Sequence, residues 1–348
     1  MSKPTFIIRK LSDSESCDDF LIKHDAPFTQ SLMYATWHRN LGRAIHRYTI
    51  EITGSSVKQI GYVQFIEANL FLGKKYLYAS YGPVIDPKYF AKVLPFIKSE
   101  FTKIAQGIGA AFFRLDFTPT LSDATTLLCK KTFFKSPRKT YKGAHFQNRE
   151  EWFLDIRPDE SELYNTIHSK HRYCFRSAEK KNCKVAIITD HFMDHFDTFC
   201  ALMKETASRN SFYLHSEDYY RSIFTSLETS KSGYLVTTTV DGVITNIMLF
   251  VYYGRTVMYV FSGSIKDQKN IPSGHLALWH SIRHAKSIEL EQFNFGGLST
   301  KEFPDRSMTN LTQFKTRFGG HLVRHSDFYD LIIKPSIYVL FVLRKFFR

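Results

Sequence analysis

The sequence has no long apolar run and no paired cysteines. No segment approaches the roughly 20 apolar residues of a membrane-spanning helix, and the N-terminal residues lack the apolar core of a signal peptide. Its 5 cysteines are far apart and form no CxxC pair, so neither a disulfide framework nor a metal site is indicated. These absences predict a cytoplasmic protein that is soluble or bound peripherally to a membrane.

Acidic residues are too few to balance the basic ones. The 348 residues include 47 Lys and Arg against 33 Asp and Glu, for a net charge of +14. This excess favours a polyanionic partner such as RNA, a phosphorylated substrate or an acidic membrane surface, and the sign of the charge does not choose among them. A hydrophobic content of 43% supports a large core, and the length favours two domains.

The same order of elements occurs in both halves of the chain. Three strand-like segments, rich in β-branched and aromatic residues, precede a helix and a fourth strand. In the first half these are residues 47–53, 59–72, 75–85, the helix 87–106 and the strand 110–117. In the second half they are residues 233–240, 243–253, 255–263, the helix 273–287 and the strand 291–297. The pattern predicts a duplicated α+β unit, with chance recurrence of a short pattern as the alternative.

Residues 159–184, between the halves, predict one charged helix with two stripes. An apolar stripe is formed by Tyr164, Ile167, His171, Cys174 and Ala178. A basic stripe, Arg172, Arg176 and Lys180, recurs every four residues beside it. A solvated helix face and a surface that contacts phosphates both explain the basic stripe.

The C-terminal segment 331–348 is strongly apolar and ends in Arg344, Lys345 and Arg348. Lys334-Pro335 interrupts it, and it is too short to span a bilayer comfortably. An interfacial helix at a membrane and a helix docked on the first domain are both consistent with this pattern, and both can hold together.

Five segments, taken in order, resemble the Fem family of peptidoglycan-bridge aminoacyltransferases. They are "FTQSLMYATWHRNLG" (28–42), "RYCFRSAEKKNCKV" (172–185), "TASRNSFYLHSEDYY" (206–220), "FNFGG" (293–297) and "FKTRFGG" (314–320). Each motif is weak alone, and their order and spacing carry the resemblance. That family moves an amino acid from aminoacyl-tRNA onto an amine of the peptidoglycan stem peptide.

The resemblance implies an α+β fold of two tandem GNAT-like domains, with mixed sheets flanked by helices. The first domain would span residues 1–150, completed by 322–348, and the second 151–321, with the acceptor in the cleft between them. No long heptad segment is present, so the chain resembles the compact type without a coiled-coil arm. The implied partners are aminoacyl-tRNA and a nucleotide- or lipid-linked peptidoglycan precursor. A monomer is expected, peripheral at the inner face of the plasma membrane, with aminoacyl-tRNA as co-substrate and no cofactor.

The resemblance also implies roles for three residues. Lys315 matches the family's "FK..FG" lysine, and the chain would leave the strand at Gly296 and Gly297 and return so that Phe314 and Phe318 anchor it. Its ammonium would stabilise the developing oxyanion or the leaving ribose oxygen; an exposed lysine beside two aromatic residues is the alternative.

Arg209 and Asp116 are the other two. Arg209 matches an arginine that would bind acceptor phosphate or carboxylate, with a surface salt bridge as the alternative. Asp116 matches an acidic position that would deprotonate the amine, although a carboxylate that ends a strand is more often a turn or cap residue.

The acceptor-binding motif "QS..W" departs from the family pattern. Tyr34 stands at the aromatic position, and His38 and Arg39 occupy the region where the family commonly has a phosphate-binding lysine. Arg39 can supply the positive charge, whereas a neutral His38 would do so poorly near pH 7.

Two other functions fit parts of the sequence. An acyl-CoA N-acyltransferase would cradle pyrophosphate on a glycine-rich loop before the second helix, but "KNIPSGHLALW" has one glycine there, Gly274. A noncatalytic RNA-binding protein would explain the charge, but the sequence shows no exposed aromatic platform or known RNA module. No G-x-S-x-G motif or nucleophilic cysteine setting is present, which fits direct attack of an amine on an ester without a covalent intermediate.

Overall fold

The computed structural model describes residues 5–54, 56–117, 122–141, 147–210, 212–265 and 271–347. Within these ranges the strands are β1 Thr5–Lys10, β2 Ile45–Thr53, β3 Lys58–Asn69, β4 Lys75–Ala79, β5 Val84–Ile85, β6 Phe112–Leu115, β7 Phe134–Lys135, β8 Glu150–Asp155, β9 Lys184–Ile188, β10 Gly233–Val240, β11 Val243–Tyr253, β12 Thr256–Ser264, β13 Gln292–Gly297, β14 His321–Arg324 and β15 Tyr329–Ile332. The α-helices are α1 Asp18–Lys23, α2 Leu32–Asn40, α3 Phe90–Ile108, α4 Asp123–Thr132, α5 Glu160–Thr166, α6 Ser169–Lys180, α7 Phe196–Asn210, α8 Glu217–Ser230, α9 Ser273–Ser287, α10 Thr309–Thr316 and α11 Pro335–Phe346.

The first of two compact units comprises Met1–Arg149 and Arg324–Arg348. Its sheet has the order β1-β2-β3-β4-β6-β15-β7, with β5 paired to β3. β4 and β6 are parallel and the other neighbours are antiparallel. Helix α3 connects the meander to β6 and buries an apolar stripe at helical spacing, which includes Val93, Ile97 and Phe101. It ends at Gly109, whose φ of 78° suits glycine.

The second unit, Glu150–Val323, repeats this arrangement. Its sheet has the order β14-β8-β13-β12-β11-β10-β9. β12 and β13 are parallel. Helix α9 connects them, as α3 connects the meander of the first unit to β6. Leu276, Trp279 and Ile282 of α9 pack against Tyr234 and Phe250 of the sheet. The predicted duplication and the predicted α+β class with mixed sheets are confirmed.

The predicted single helix 159–184 is wrong, because the chain forms two helices there. Ile167 is extended and buried, and the Nδ1 atom of His168 accepts a hydrogen bond of 3.1 Å from the backbone N–H of Lys170. His168 therefore caps α6 and separates it from α5. The buried stripe of α6 also includes Phe175, whereas Cys174 is only half-buried.

The predicted strand 75–85 is divided into β4 and β5 by the turn between them. Pro83 lies in this turn and has no N–H to donate to a sheet ladder, which favours the interruption. Pro87 lies before α3 and outside its first turn, because the helix begins at Phe90.

The C-terminal segment belongs to the first unit. β15 lies between β6 and β7 in the sheet, and α11 packs Tyr338 and Phe341 against Tyr76 and Phe112. Among the helices of the described residues, none combines the length and apolar character needed to cross a membrane.

Candidate active site

Lys315 is buried near the end of α10. Its side chain is 5% exposed, and Nζ donates a hydrogen bond of 2.7 Å to the carbonyl oxygen of Gly297 at the end of β13. Phe318 is fully buried and Phe314 packs against the same core. The predicted aromatic anchoring is confirmed, and it holds the ammonium away from bulk solvent.

The space beside this ammonium is opened by two strands that separate. β12 and β13 pair only from Thr256 with Gln292 to Met258 with Asn294, and beyond that point both strands continue unpaired with one another. A Cβ atom at Gly296 would lie 3.7 Å from Lys315 Nζ and 3.6 Å from the carbonyl oxygen of Tyr259 on β12. Since Gly296 also has a φ of 77°, glycine both permits this backbone and leaves the space clear.

Burial changes the acidity of the lysine. Removal from water lowers the pKa of Lys315 to about 8, and the negative charge of Glu151 partly opposes this. Glu151 is 1% exposed and its Oε2 accepts a hydrogen bond of 3.0 Å from Asn294 Nδ2. Asn294 Oδ1 in turn accepts one of 2.7 Å from the Gly296 N–H. A buried polar network thus links Glu151 to the turn beside the ammonium, and the lysine remains mostly a cation near pH 7.

Two histidines, the buried His171 and the partly buried His275, pack against α10. His171 of α6 donates from Nε2 a hydrogen bond of 2.9 Å to the carbonyl oxygen of Phe314, and its ring centre lies 4.5 Å from that of His275. Burial lowers the pKa of His171, and lowers that of His275 to about 3. Both rings are therefore neutral near pH 7 and serve as packing and hydrogen-bonding groups. The sequence placed His171 on a buried stripe, but not its contact with the lysine helix.

The predicted basic stripe lies on α6. Arg176 Nη1 donates a hydrogen bond of 3.1 Å to the hydroxyl of Tyr164. The Arg172 guanidinium lies 5.7 Å from the centre of the same ring, and Lys180 is exposed. Tyr173 stands among these cations with 66% of its surface exposed. Tyr173 is not among the residues predicted from the sequence, although its helical spacing from Arg176 and Lys180 is a signal for it.

Arg209, near the end of α7, is held at the far end of β12. Its Nη1 donates a hydrogen bond of 3.2 Å to the carbonyl oxygen of Ser264, and its Nη2 donates one of 2.9 Å to the Ser264 hydroxyl. Glu205 lies 3.6 Å away, and the arginine side chain is 31% exposed. Arg209 thus lies at the end of the strand that separates from β13, with part of its guanidinium accessible.

Asp116, in the first unit, is surrounded by fixed partners. Its two oxygens accept hydrogen bonds of 2.5 and 2.7 Å from Arg149, and one of them also accepts from the Tyr78 hydroxyl at 2.9 Å. The carboxylate is fully buried. Burial lowers the pKa of Arg149, but the interactions with Asp116 raise it more, so that the guanidinium keeps its charge. This is the geometry of a structural ion pair; a base would need a lone pair directed at the substrate amine. Arg149 is not among the residues predicted from the sequence.

Arg39 and His38, also in the first unit, have different surroundings. Arg39 Nη2 forms an ion pair of 2.6 Å with Asp13 Oδ1, whose side chain is 85% exposed. His38 is buried, and its Nδ1 accepts a hydrogen bond of 2.8 Å from Arg43, since an arginine can only donate. Arg39 is therefore the more accessible of the two for an anion.

No cluster of three or more His, Cys, Asp or Glu side chains suited to a metal ion occurs in the described ranges.

The model of the FemAB family matches residues 13–247 and 235–345. Among curated proteins, none is significantly similar in sequence. A crystal structure of FemX matches with a TM-score of 0.82 and 18% identity, over 97% of this chain and 100% of that one.

Two further structures share the fold. One is a tandem GNAT protein from the clavulanic acid biosynthesis pathway, with a TM-score of 0.56 and 10% identity over 94% of this chain and 98% of that one. The other is the C-terminal domain of a putative lysylphosphatidylglycerol synthetase from Agrobacterium fabrum, with a TM-score of 0.53 and 13% identity over 82% and 85%. The predicted tandem GNAT-like fold is confirmed. Since the family model covers nearly the whole chain, the protein belongs to the FemAB family, whose members are transferases of peptidoglycan cross-bridge formation.

Proposed function

We propose that this protein moves an amino acid from aminoacyl-tRNA to the stem-peptide amine of a peptidoglycan precursor. The observation that carries the proposal is the buried ammonium of Lys315 at the opening between β12 and β13. It is supported by membership of the FemAB family. A buried lysine is costly to maintain, and this one is fixed by hydrogen bonding and aromatic packing in a position where a reacting group can be placed.

The proposed chemistry is aminolysis of an ester. The acceptor amine attacks the carbonyl carbon, a tetrahedral oxyanion forms, the bond to the ribose oxygen breaks and that oxygen takes the proton that the amine loses. Lys315 faces either the oxyanion or the leaving oxygen, where a fixed cation stabilises charge that develops only in the transition state. A donor of this kind typically contributes about 2.7 to 4 kcal/mol.

The separated strands provide a binding edge next to the ammonium. Beyond Met258, β12 has no pairing with β13, so its backbone groups on that side can bond to an extended ligand, as at the edge of a sheet. Arg209 stands at the end of this edge. We assign its guanidinium to a phosphate or carboxylate of the acceptor, which it can bind with two parallel hydrogen bonds.

For tRNA we propose the exposed surface of α6. Arg172, Arg176 and Lys180 would contact phosphates, and the exposed ring of Tyr173 would stack on a base of a single-stranded end. This combination of cations and an accessible aromatic ring is typical of single-stranded RNA recognition.

In the first unit, Arg39 is the better candidate for acceptor phosphate. Its ion pair with the exposed Asp13 is of the surface kind that contributes little to stability, so a phosphate can replace the Asp13 carboxylate. His38 is already committed to Arg43, and we give it a supporting role. We further propose a monomer that works in the cytoplasm at the inner face of the plasma membrane, with aminoacyl-tRNA as its co-substrate and no cofactor.

One experiment tests the reaction and its alternatives together. Purified protein is incubated with a mixture of aminoacyl-tRNAs and, in separate reactions, a nucleotide-linked or a lipid-linked peptidoglycan precursor, and the products are identified by mass spectrometry. We expect a precursor heavier by one or more amino-acid residues. A parallel incubation with acetyl-CoA tests an acyl-CoA transferase, and filter binding of charged and uncharged tRNA tests a noncatalytic RNA-binding protein. Acetylated precursor, or tRNA binding without any transfer, would overturn the proposal.

A further inference from the structure

Helix α11 exposes a continuous apolar face to solvent. Its outer residues are between 41% and 86% exposed, and all are large and apolar. We call this set the α11 apolar face: Val339, Leu340, Leu343, Phe346 and the adjoining Phe347. At 3.6 residues per turn these positions share one side of the helix.

The opposite side of the same helix is already buried. Tyr338 and Phe341 are 4% and 5% exposed, and they pack with Tyr76 and Phe112 in a core of the first unit. The helix is therefore apolar on both sides. A helix of this kind is normally covered all round, so the α11 apolar face needs a cover that the described chain does not provide.

Basic residues lie at the C-terminal end of α11 and in the turn beside it, and α11 itself contains no Asp or Glu. The Arg344 guanidinium lies 4.8 Å from the ring centre of Phe71, which places the turn between β3 and β4 beside the helix. That turn carries Leu72, which is 83% exposed, and the exposed Lys74. Lys345 follows Arg344 at the end of α11. The surface thus combines bare apolar side chains with positive charge, and this combination complements an anionic lipid surface.

The size of the face distinguishes a lipid from a second copy of the chain. A helix of 12 residues is about 18 Å long and about 10 Å wide, so one side offers on the order of 200 Å². A specific protein interface needs about 800 Å² from each partner. A bilayer requires no matching shape, because apolar side chains enter the boundary between headgroups and acyl chains one by one.

We propose that the α11 apolar face, with Leu72 beside it, docks on an anionic bilayer surface. The basic residues would contact lipid phosphates while the apolar side chains enter the boundary region. This contact goes beyond the transfer reaction, since it requires only residues of the first unit. It would hold the protein at the surface where a lipid-linked acceptor is found.

The test compares two triple variants of the full chain in vesicle flotation. The first carries Leu340→Gln, Leu343→Gln and Phe347→Gln. The matched control carries the same replacement at three exposed apolar residues elsewhere: Val57→Gln, Leu127→Gln and Val243→Gln, at sites that are 63%, 53% and 57% exposed. The vesicles contain phosphatidylcholine mixed with phosphatidylglycerol, or phosphatidylcholine alone, and circular dichroism confirms that both variants are folded.

We expect the first variant to bind the anionic vesicles at least tenfold more weakly than the unaltered chain, and the control variant to bind as well as the unaltered chain. Binding of the unaltered chain should be weaker on phosphatidylcholine alone and should fall as salt increases. Equal loss in both variants would overturn the proposal. So would a concentration-dependent dimer, seen by sedimentation, that disappears in the first variant, because a second copy would then be the cover. Turnover on a nucleotide-linked acceptor is measured separately, so that failure of the transfer reaction does not affect this outcome.

Discussion

The two units bury their positive charges in different ways. In the first unit, Arg114 and Arg149 are almost fully buried, and each forms an ion pair with a buried carboxylate, Asp330 at 2.7 Å and Asp116 at 2.5 Å. In the second unit, the ammonium of Lys315 is hydrogen-bonded to a backbone carbonyl and has no ion pair with a described carboxylate. The carboxylates raise the pKa values of both arginines, whereas burial lowers the pKa of Lys315 to about 8.

This contrast is the basis for distinguishing structural charges from the proposed reactive one. A guanidinium that is paired with a carboxylate stays in its charged form, and the pair holds two strands or loops together. A lysine that is buried with only a carbonyl partner keeps a titration near neutral pH and is available to a new anion, such as an oxyanion. We therefore infer that Asp116 supports the fold and that Lys315 serves the reaction.

The largest effect is expected from Asp116→Asn, which removes the negative charge that pairs with Arg149 in the first unit. Arg149 would keep its charge without a carboxylate, and breaking a buried pair typically costs about 3 to 5 kcal/mol of the free energy of unfolding. The turnover of the molecules that remain folded should change by less than about threefold, because the carboxylate is fully buried and bonded to Arg149 and Tyr78. Urea denaturation measures the first quantity, and steady-state transfer assays at low temperature measure the second.

Asp330→Asn provides the matched control for this change. Asp330 pairs with Arg114 in the same unit and has no predicted part in the reaction. Both variants should lose stability and keep turnover. If Asp116→Asn lost turnover a hundredfold while Asp330→Asn did not, Asp116 would be a base, as the family resemblance implied.

The next largest effect is expected from Lys315→Met, which removes the buried cation from the second unit. Turnover should fall by about a hundredfold or more, since one donor to an oxyanion contributes about 2.7 to 4 kcal/mol. The affinities for tRNA and acceptor should remain nearly unchanged, because the cation acts in the transition state. Lys334→Met is the control: Lys334 also donates a 2.7 Å hydrogen bond to a backbone carbonyl, that of Gly109. Near-normal turnover of Lys315→Met would remove the lysine from the mechanism.

The sequence predicts the anchoring of Lys315 better than its environment. The spacing of Phe314 and Phe318 is a local signal, and both residues are where it places them. Glu151 and Asn294, which hydrogen-bond to each other in the network beside the lysine, lie on strands that are distant in sequence and meet only through sheet register. Arg149 is likewise 33 residues from Asp116. Local patterns predict which face of an element is buried, but they do not predict which distant polar group it meets.

The basic stripe offers a smaller effect that separates charge from stacking. Replacing Arg172, Arg176 and Lys180 with Gln should weaken tRNA binding and reduce the slope of log affinity against log salt by about 2 to 3, as fewer counterions are released. Tyr173→Ala should weaken binding by about 1 to 3 kcal/mol and leave this slope unchanged, and Tyr173→Phe should restore the affinity. Filter binding over a series of salt concentrations measures both. An unchanged slope in the triple variant would identify the stripe as a solvated face.

The fold was more predictable than the site because it depends on periodic patterns. The strands β10 and β11 and the helix α9 have the predicted bounds, since each is a continuous run with one clear period. The division of residues 159–184 was not predicted, because the apolar stripe continues across Ile167 while His168 caps the second helix. A histidine that caps through Nδ1 has no strong sequence signature, and the continuous stripe therefore suggested one helix.

The smallest effect concerns the pH at which Lys315 loses its proton. Burial lowers its pKa to about 8 and the charge of Glu151 raises it, so turnover should lose its lysine-dependent part as pH rises through about 8. Glu151→Gln removes the opposing charge and should move this loss to lower pH, while the glutamine oxygen can still accept the hydrogen bond from Asn294.

Single-turnover rates, corrected for spontaneous ester hydrolysis, are taken as the ratio of variant to unaltered protein, because the titration of the acceptor amine cancels in this ratio. The ratio should be flat at low pH and fall as pH approaches 8. Glu150→Gln, at the neighbouring buried carboxylate that accepts from Thr300, should give a flat ratio throughout. A ratio for Glu151→Gln that rises with pH would contradict an ammonium as the active form of Lys315.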